Sequence, residues 1–252
     1  MNGEKARMIF TDPPYNVDYH STAGNTYSSA KYGGEGNAIF NDNKTEVDAI
    51  AFYSAVLRNA KAFSTDDAVI YWWYASRNYH LNHAAFREVG WKLSQVIIWL
   101  KNSIIFSYGQ EYHRCYEPCI VGWKEGKSHF TTKMFNNLAE VFSLERDALQ
   151  DQIDVWYEHR DPTSEYVHPT QKPVRLIERG LRKSSRAGEL VIDFFGGSGS
   201  TLMGCEQLGR RCFSVELDPK FCDVIVQRYV NLTKSRNIRL NGAEIEWADI
   251  LK

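Results

Sequence analysis

Late in the chain an apolar run closes on a carboxylate and opens at once into a glycine-rich turn. The run is Glu189-Leu190-Val191-Ile192-Asp193, and the turn is Phe194-Phe195-Gly196-Gly197-Ser198-Gly199-Ser200-Thr201. Five apolar-rich residues suit a buried strand, and the residues beyond read as a helix to Leu208, stopped by Gly209. A second strand is expected over residues 211–217. Asp218-Pro219, an N-cap followed by a first-turn proline, then begins another helix. Strand, turn, helix and strand in so few residues is the pattern of two parallel strands joined by a crossing helix. This unit constrains the rest of the chain, because a parallel sheet needs cover on both faces.

The same alternation continues upstream. Residues 8–11 read as a short buried strand ended by Asp12-Pro13-Pro14-Tyr15, and residues 68–73, 91–100 and 116–123 as further strands. Helices are expected over 47–63, with Ile50, Tyr53, Ala55, Val56 and Leu57 toward the core, over 79–89, stopped by Gly90, and from Pro173 to Ser184. The helix after Asp218 should bury Phe221, Val224, Ile225, Tyr229 and Leu232. Residues 16–44, rich in Gly, Ser, Asn and Tyr, form a long loop of the kind that serves as a lid. Residues 124–166 are polar and without period, and read as an insertion. The expected architecture is a single α/β domain over 1–252: a twisted, mostly parallel sheet with helices on both faces.

Composition narrows the function classes. Thirty basic against 31 acidic residues give a net charge of −1, so any nucleic-acid surface must be a local patch. Five cysteines, an odd number, with no secretory pattern at residues 1–10, read as free thiols of a reducing cytoplasm. Cys115, Cys119 and His113 have no second ligand pair at zinc-site spacing, so no metal is expected. No apolar run reaches the roughly 18–20 residues of a membrane helix.

A glycine turn between strand and helix lets a cofactor lie against bare backbone, with helix-terminal amides facing its polar groups. Glu216, at the tip of the next strand, is placed to hold both ribose hydroxyls of a nucleoside cofactor. Taken alone, this half also fits a dinucleotide enzyme or a plain tight turn. A nicotinamide dehydrogenase, however, places its first such unit early in the chain and leaves Asp12-Pro13-Pro14-Tyr15 without a task. That tetrapeptide has chemistry of its own. An amine on a heteroaromatic base is a poor nucleophile, because its lone pair is delocalised into the ring. The Asp12 carboxylate and the Pro13 carbonyl can accept its two N–H bonds, drawing the nitrogen toward tetrahedral geometry for in-line attack on a sulfonium methyl. Pro14 stiffens the turn and Tyr15 would stack on an extruded base. The alternative is a rigid strand-end turn with a solvated aspartate.

Together, Asp12-Pro13-Pro14-Tyr15 and the distant Asp193-Phe194-Phe195-Gly196-Gly197-Ser198-Gly199 resemble the amino-methyltransferases of DNA. The catalytic motif precedes the cofactor motif, which is similar to the circularly permuted beta class. His168-Pro169-Thr170-Gln171-Lys172-Pro173 matches a motif that this family places just before its cofactor strand. The resemblance spans nearly the whole chain and is weakest over residues 124–166. It implies a Rossmann-like S-adenosylmethionine-dependent methyltransferase fold, with 124–166 a short target-recognition insertion. It implies S-adenosylmethionine bound by Asp12, Asp193, Phe194, Phe195, Gly196, Gly197, Ser198, Gly199, Thr201 and Glu216. His168, Thr170 and Lys172 would lie toward its methionine end, Lys172 as a cation for the carboxylate. It further implies a bacterial or phage enzyme acting on double-stranded DNA with the target base flipped, and allows a homodimer.

Asp in the first position of the tetrapeptide favours adenine N6; cytosine-N4 enzymes more often carry Ser there. Cytosine N4, adenine in RNA and a non-catalytic DNA-binding subunit of the same fold remain as alternatives. The family often has an upstream stretch that includes a strand over the cofactor's adenine. Its place here would be taken by a longer native protein or by Ile245-Glu246-Trp247. The short recognition region predicts loose sequence reading. Lys101, Arg114, Lys124, Lys127 and Lys133, which flank that region in sequence, are expected to contact DNA. The basic residues from Lys172 to Arg186 read as a solvated helix face.

Overall fold

The structure, a computed structural model, describes residues 1–18, 42–105, 111–132, 151–160, 171–235 and 237–247. Seven strands form the main sheet: β1 (Ala6–Thr11), β2 (Ser64–Trp73), β3 (Trp91–Ile105), β4 (Arg114–Lys124), β5 (Val155–Tyr157), β6 (Leu190–Asp193) and β7 (Arg211–Ser214). They lie in the order β5-β3-β4-β2-β1-β6-β7. β1 is parallel to both β2 and β6, β6 to β7, and β3 to β5; β4 alone runs against its neighbours β2 and β3.

Five helices cover this sheet or flank it: α1 (Glu46–Ala62), α2 (Tyr79–Val89), α3 (Val174–Ser184), α4 (Ser200–Gln207) and α5 (Pro219–Thr233). Alternation along the strands sends side chains to two separate cores. Met8 and Phe10 of β1 and Tyr71 and Trp73 of β2 pack with Leu176, Ile177 and Leu181 of α3 and Cys205 of α4. Ile9, Ile70 and Trp72 point the other way, against Tyr53 and Leu57 of α1 and Leu81 and Phe86 of α2. Two of the buried indoles are satisfied: that of Trp72 donates to Asn82 at 2.7 Å, and that of Trp91 to the Leu57 carbonyl at 3.0 Å, while the Trp73 N–H is buried without a partner.

The element pattern follows the sequence closely, with the differences below and with β3, expected over 91–100, running on to Ile105. In α1, Ala55 faces solvent; the buried stripe is Ala49, Tyr53, Ser54, Leu57 and Ala60. In α5 only Ile225 is fully buried, and Leu232 is exposed. The strand expected over 211–217 ends at Ser214. The aperiodic stretch after β4 contributes the short edge strand β5. Ile245 lies in β9 (Ala243–Ile245), which pairs only with β8 (Ile238–Leu240) in a separate hairpin. Ile245-Glu246-Trp247 therefore adds no strand beside β7, and the Trp247 indole instead donates to Gln227 of α5 at 2.8 Å.

Candidate active site

The C-terminal ends of β1 and β6 adjoin in the middle of the sheet, so 181 residues of sequence separation (Asp12 to Asp193) collapse into one site. The Thr11 hydroxyl donates to Asp193 Oδ1 at 3.0 Å and accepts from the Phe194 N–H at 3.1 Å. One threonine thus ties the start of the Asp12-Pro13-Pro14-Tyr15 turn to the start of the glycine turn.

The first turn is held from both sides. Tyr53 of α1 donates its hydroxyl to the Pro14 carbonyl at 2.8 Å. Asn78 donates to the carbonyls of Tyr15 and Asn16 at 2.6 and 2.8 Å. Asn16 and Lys44 exchange side-chain and backbone bonds of 3.0 and 2.6 Å, so both feet of the long loop are clamped together. The body of that loop, residues 19–41, lies outside the described residues. Among the described residues no donor reaches the Pro13 carbonyl, and Asp12 Oδ1 is buried without a hydrogen-bond partner.

The other oxygen, Asp12 Oδ2, accepts from Lys172 Nζ at 2.5 Å. Lys172 also donates to the Tyr15 hydroxyl at 3.1 Å and lies 3.3 Å from Glu117 Oε2. Its ammonium sits 5.0 Å from the Trp73 ring centre and 5.5 Å from that of Tyr15. Glu117 receives the Tyr15 hydroxyl at 3.2 Å and pairs through Oε1 with Lys101. Burial pushes the Asp12 carboxyl above the usual aspartate range and the Glu117 charge adds to this, while Lys172 opposes both. Burial also acts on Glu117, but Lys172 and Lys101 together overcome it and lower the carboxyl to about 2. Against its own burial, Lys172 is raised by Asp12 and Glu117 and stays a cation. Burial and the charges of Asp12 and Glu117 lift the Tyr15 phenol well above its ordinary value.

In the second turn, Gly199 has φ +78° and ends against Ile225, 3.0 Å from where a side chain would begin. Gly196 meets the Ser214 hydroxyl at 2.6 Å in the same sense. Only glycine lets this turn pass so close to β7 and α5. Glu216 Oε2 accepts from the Gly197 N–H at 2.6 Å, and Oε1 from the N–H groups of Leu217 and Asp218 at 2.8 and 2.9 Å. Glu216 thus joins the glycine turn to the start of α5. Arg228 of α5 donates to the Ser198 carbonyl at 2.6 Å from the far side. Asp193 accepts from the Phe195 N–H at 3.1 Å, Thr201 bonds the same carboxyl, and burial pushes it up to about 7. Phe195 packs on Phe52 of α1 with ring centres 6.0 Å apart.

The structure therefore brings together Asp12, Pro13, Pro14, Tyr15, Lys172, Asp193 and the whole glycine turn through Thr201, with Glu216 at its rim. His168, Thr170 and Lys133 lie outside the described residues. Lys172, expected to face the cofactor carboxylate, has its ammonium on the Asp12 carboxylate instead. Glu117 was missed by the sequence reading, because a carboxylate in an apolar strand has no local partner to flag it. Its flag was its setting, a single acid inside the otherwise apolar Tyr116–Trp123 run.

The structure does not bring the expected DNA-contact residues together. Lys101 is buried against Glu117, its side chain only 2% exposed. Lys124 and Lys127 lie at the opposite end of the sheet, because β4 runs antiparallel and carries its last residues away from the catalytic turn. There Lys124 donates to the Ser64 carbonyl at 2.9 Å, and Lys127 pairs with Asp66 at 3.0 Å. Of the five, Arg114 is the one described residue both exposed and at the catalytic end of β4. Along α3, Arg182 pairs with Glu178 on a solvated face, whereas Arg179, expected there too, has a side chain only 14% exposed and is tucked against Asp151 and Glu158.

A mixed seven-stranded sheet with a glycine turn at one central strand end and a rigid acceptor turn at the next is the α/β architecture of the S-adenosylmethionine-dependent methyltransferases. A family model described as DNA methylase, the N6/N4 methyltransferase model, matches residues 6–227, and the chain belongs to this family. Type II methyltransferase M2.MboI of Moraxella bovis is 25% identical over 232 residues, covering 90% of this chain and 81% of its own. Type II methyltransferase M2.DpnII of Streptococcus pneumoniae is 23% identical over 243 residues, covering 90% and 84%. The fold is shared with the M1.HpyAVI–SAM complex, at a TM-score of 0.60 and 17% identity, with 90% of each chain covered. It is shared also with the cytosine-N4-specific PvuII DNA methyltransferase, at 0.64 and 13%, covering 94% of this chain and 84% of that one.

Proposed function

We propose that this DNA methylase transfers a methyl group from S-adenosylmethionine to the exocyclic amine of a base flipped out of duplex DNA, adenine N6 in preference to cytosine N4. The observation that carries this reading is the open acceptor pair: Asp12 Oδ1, buried and unpartnered, and beside it in sequence the Pro13 carbonyl, free of donors among the described residues. The Pro14 and Tyr15 carbonyls, the Tyr15 hydroxyl and Asp12 Oδ2 are all engaged. A buried acceptor without a partner is costly, and the fitting occupant brings two donors on one atom. An exocyclic amine does so.

The residues also fit the cofactor. The glycine turn, closed to any side chain at Gly196 and Gly199, leaves bare backbone beside the buried Asp193 carboxyl, a charge that would complement a cationic group bound there. When bound, S-adenosylmethionine supplies a methyl group already activated on sulfur. The chain's own task is to orient the amine and draw its N–H bonds. The nitrogen lone pair then forms the N–C bond as the C–S pair returns to sulfur. The proton shed by the methylated nitrogen has Asp12 Oδ1 as its nearest acceptor. Tyr15, its hydroxyl fixed by Glu117 and Lys172, offers a ring held in place for stacking on the base. Asp rather than Ser in the tetrapeptide supports adenine. The sharing of the fold with a cytosine-N4 enzyme leaves that choice to the pocket and not to the architecture. One domain over 1–252 with recognition by 124–166, a loop over the site and a dimer belong to the same reading.

The test is methyl transfer from labelled S-adenosylmethionine to unmethylated DNA, followed by nucleoside analysis, with Asp12→Ala alongside. N6-methyladenosine from the wild type, lost in a variant that still binds cofactor, is the expected result. N4-methylcytosine would overturn the base, and cofactor binding without any modified base would overturn the enzyme.

A further inference from the structure

Two carboxylates and two ammonium groups lie together beside the catalytic turn, more charge than an acceptor pair requires. Each buried ion costs several kcal/mol in lost hydration unless it is closely paired. Asp12 and Glu117 against Lys101 and Lys172 sum to zero, and their connectivity is ordered. Lys101 holds Glu117 Oε1; Glu117 Oε2 faces Lys172; Lys172 grips Asp12 Oδ2 and no other oxygen of that carboxylate. The elements build this chain deliberately. The β3–β4 register slips between Leu100 and Ile105, and that irregularity begins at Lys101, whose side chain is turned inward. Glu117 stands opposite Trp99 in register, beyond the last pairing of β2 with β4, so it reaches the space under the catalytic turn.

We infer that Glu117, anchored by Lys101, is a positioning residue: it draws Lys172 to one side of Asp12, so that the ammonium caps Oδ2 and leaves Oδ1 open to the target amine. This rests on the function proposed above. Without Glu117 the only carboxylate left to Lys172 among the described residues is Asp12, and a centred ammonium competes directly with the amine for both oxygens. The arrangement also explains how a carboxylate so close to a lysine remains a usable acceptor.

The groups facing Asp12 are Lys172 and Glu117, the Tyr15 hydroxyl, the Cys119 thiol of β4 and the Asp193 carboxyl of β6. Of the two charged groups nearest it, Glu117 raises the Asp12 carboxyl and Lys172 lowers it. Glu117→Gln therefore has a signature that a structural role lacks. Its turnover should fall roughly ten- to a hundredfold, the cost of a misplaced reacting group, with cofactor affinity unchanged. The acid limb of its pH–rate profile should move to lower pH. Carbon-13 NMR of the Asp12 carboxyl, assigned with Asp12→Asn, should show the same downward move without any turnover. Where Glu117→Gln leaves Lys101 buried without its carboxylate and does not fold, Lys101→Met/Glu117→Gln removes one charge of each sign, and the same titration is read there. An Asp12 titration unmoved by loss of Glu117, or a slower enzyme with an unmoved acid limb, overturns the inference. A wild type that methylates no DNA defeats the proposed function instead, and the NMR titration still decides this point.

Discussion

Asp193 is the residue at which folding and function pull against each other. Its carboxyl is buried at the end of β6 and pushed up to about 7 from an unfolded value near 3.8, burial outweighing the bonds from Thr201, Phe195 and Thr11. Between those two values the folded chain holds a proton that the unfolded chain has released. Stability in this interval must therefore fall as pH rises, and level off above about 7. Asn in its place keeps an oxygen to accept the Thr11 and Phe195 bonds but cannot ionise. Urea unfolding of the cofactor-free protein should show Asp193→Asn more stable than wild type at pH 8, by on the order of 2–4 kcal/mol. The difference should close toward pH 4. Parallel curves for the two proteins would remove the buried charge from the account. A carboxylate kept at such cost is consistent with a cationic ligand that repays it, and cofactor affinity should strengthen as pH rises through about 7 for the same reason.

At the scale of elements, the glycine turn into α4 shows which sequence signals carry structure. Gly199 and Gly188 share the same left-handed backbone, φ +78° and +80°, yet Gly199 abuts Ile225 while Gly188 faces open space. Gly188→Ala should cost only the backbone strain, about 1 kcal/mol. Gly199→Ala adds a clash that α5 must yield to. It should cost about 2–4 kcal/mol and abolish cofactor binding, read by calorimetry beside thermal unfolding. Equal losses would mean that Ile225 gives way freely. The turn was legible in the sequence because its cause is local: a strand, glycines and a helix in consecutive residues. Asp12 to Tyr15 was legible for the same reason. α1, α2 and their stops were readable from period and from Gly90, whose φ of +77° closes α2. The direction of β4 was not. Its apolar run reads alike in both senses, and only pairing with β2 and β3 decides which end of the molecule Lys124 reaches. Nor could spacing disclose that Lys101, Glu117 and Lys172 converge, since each owes its position to a different element.

The whole molecule is polar in the literal sense: chemistry gathers at the C-terminal ends of the parallel strands, and the other end is closed by structure. Thr11, Asp193 and the two turns mark the active end; Ser64, Lys124 and Lys127 mark the closed one. A chain of net charge −1 cannot hold a polyanion by its overall field, so phosphate contacts fall to local cations, and on the proposed reading to those at the active end. Arg114 opens β4 there, exposed, three residues before Glu117, and its neighbour Tyr112 is 85% exposed. Counterion release makes the slope of log affinity against log salt count the phosphates neutralised, at about 0.9 per contact on duplex DNA. Arg114→Gln should therefore weaken binding of an unmethylated duplex and flatten that slope by about one. Lys124→Gln/Lys127→Gln, which removes twice the charge, should leave the slope where it was, because those ammonium groups serve Ser64 and Asp66 at the far end. If the double variant flattened the slope and Arg114→Gln did not, DNA would have to wrap the closed end of the sheet. The catalytic turn could then reach a base only from a duplex that encircles the domain. Fluorescence anisotropy over a range of salt concentrations separates the two geometries, because each assigns the lost charge to a different end of β4.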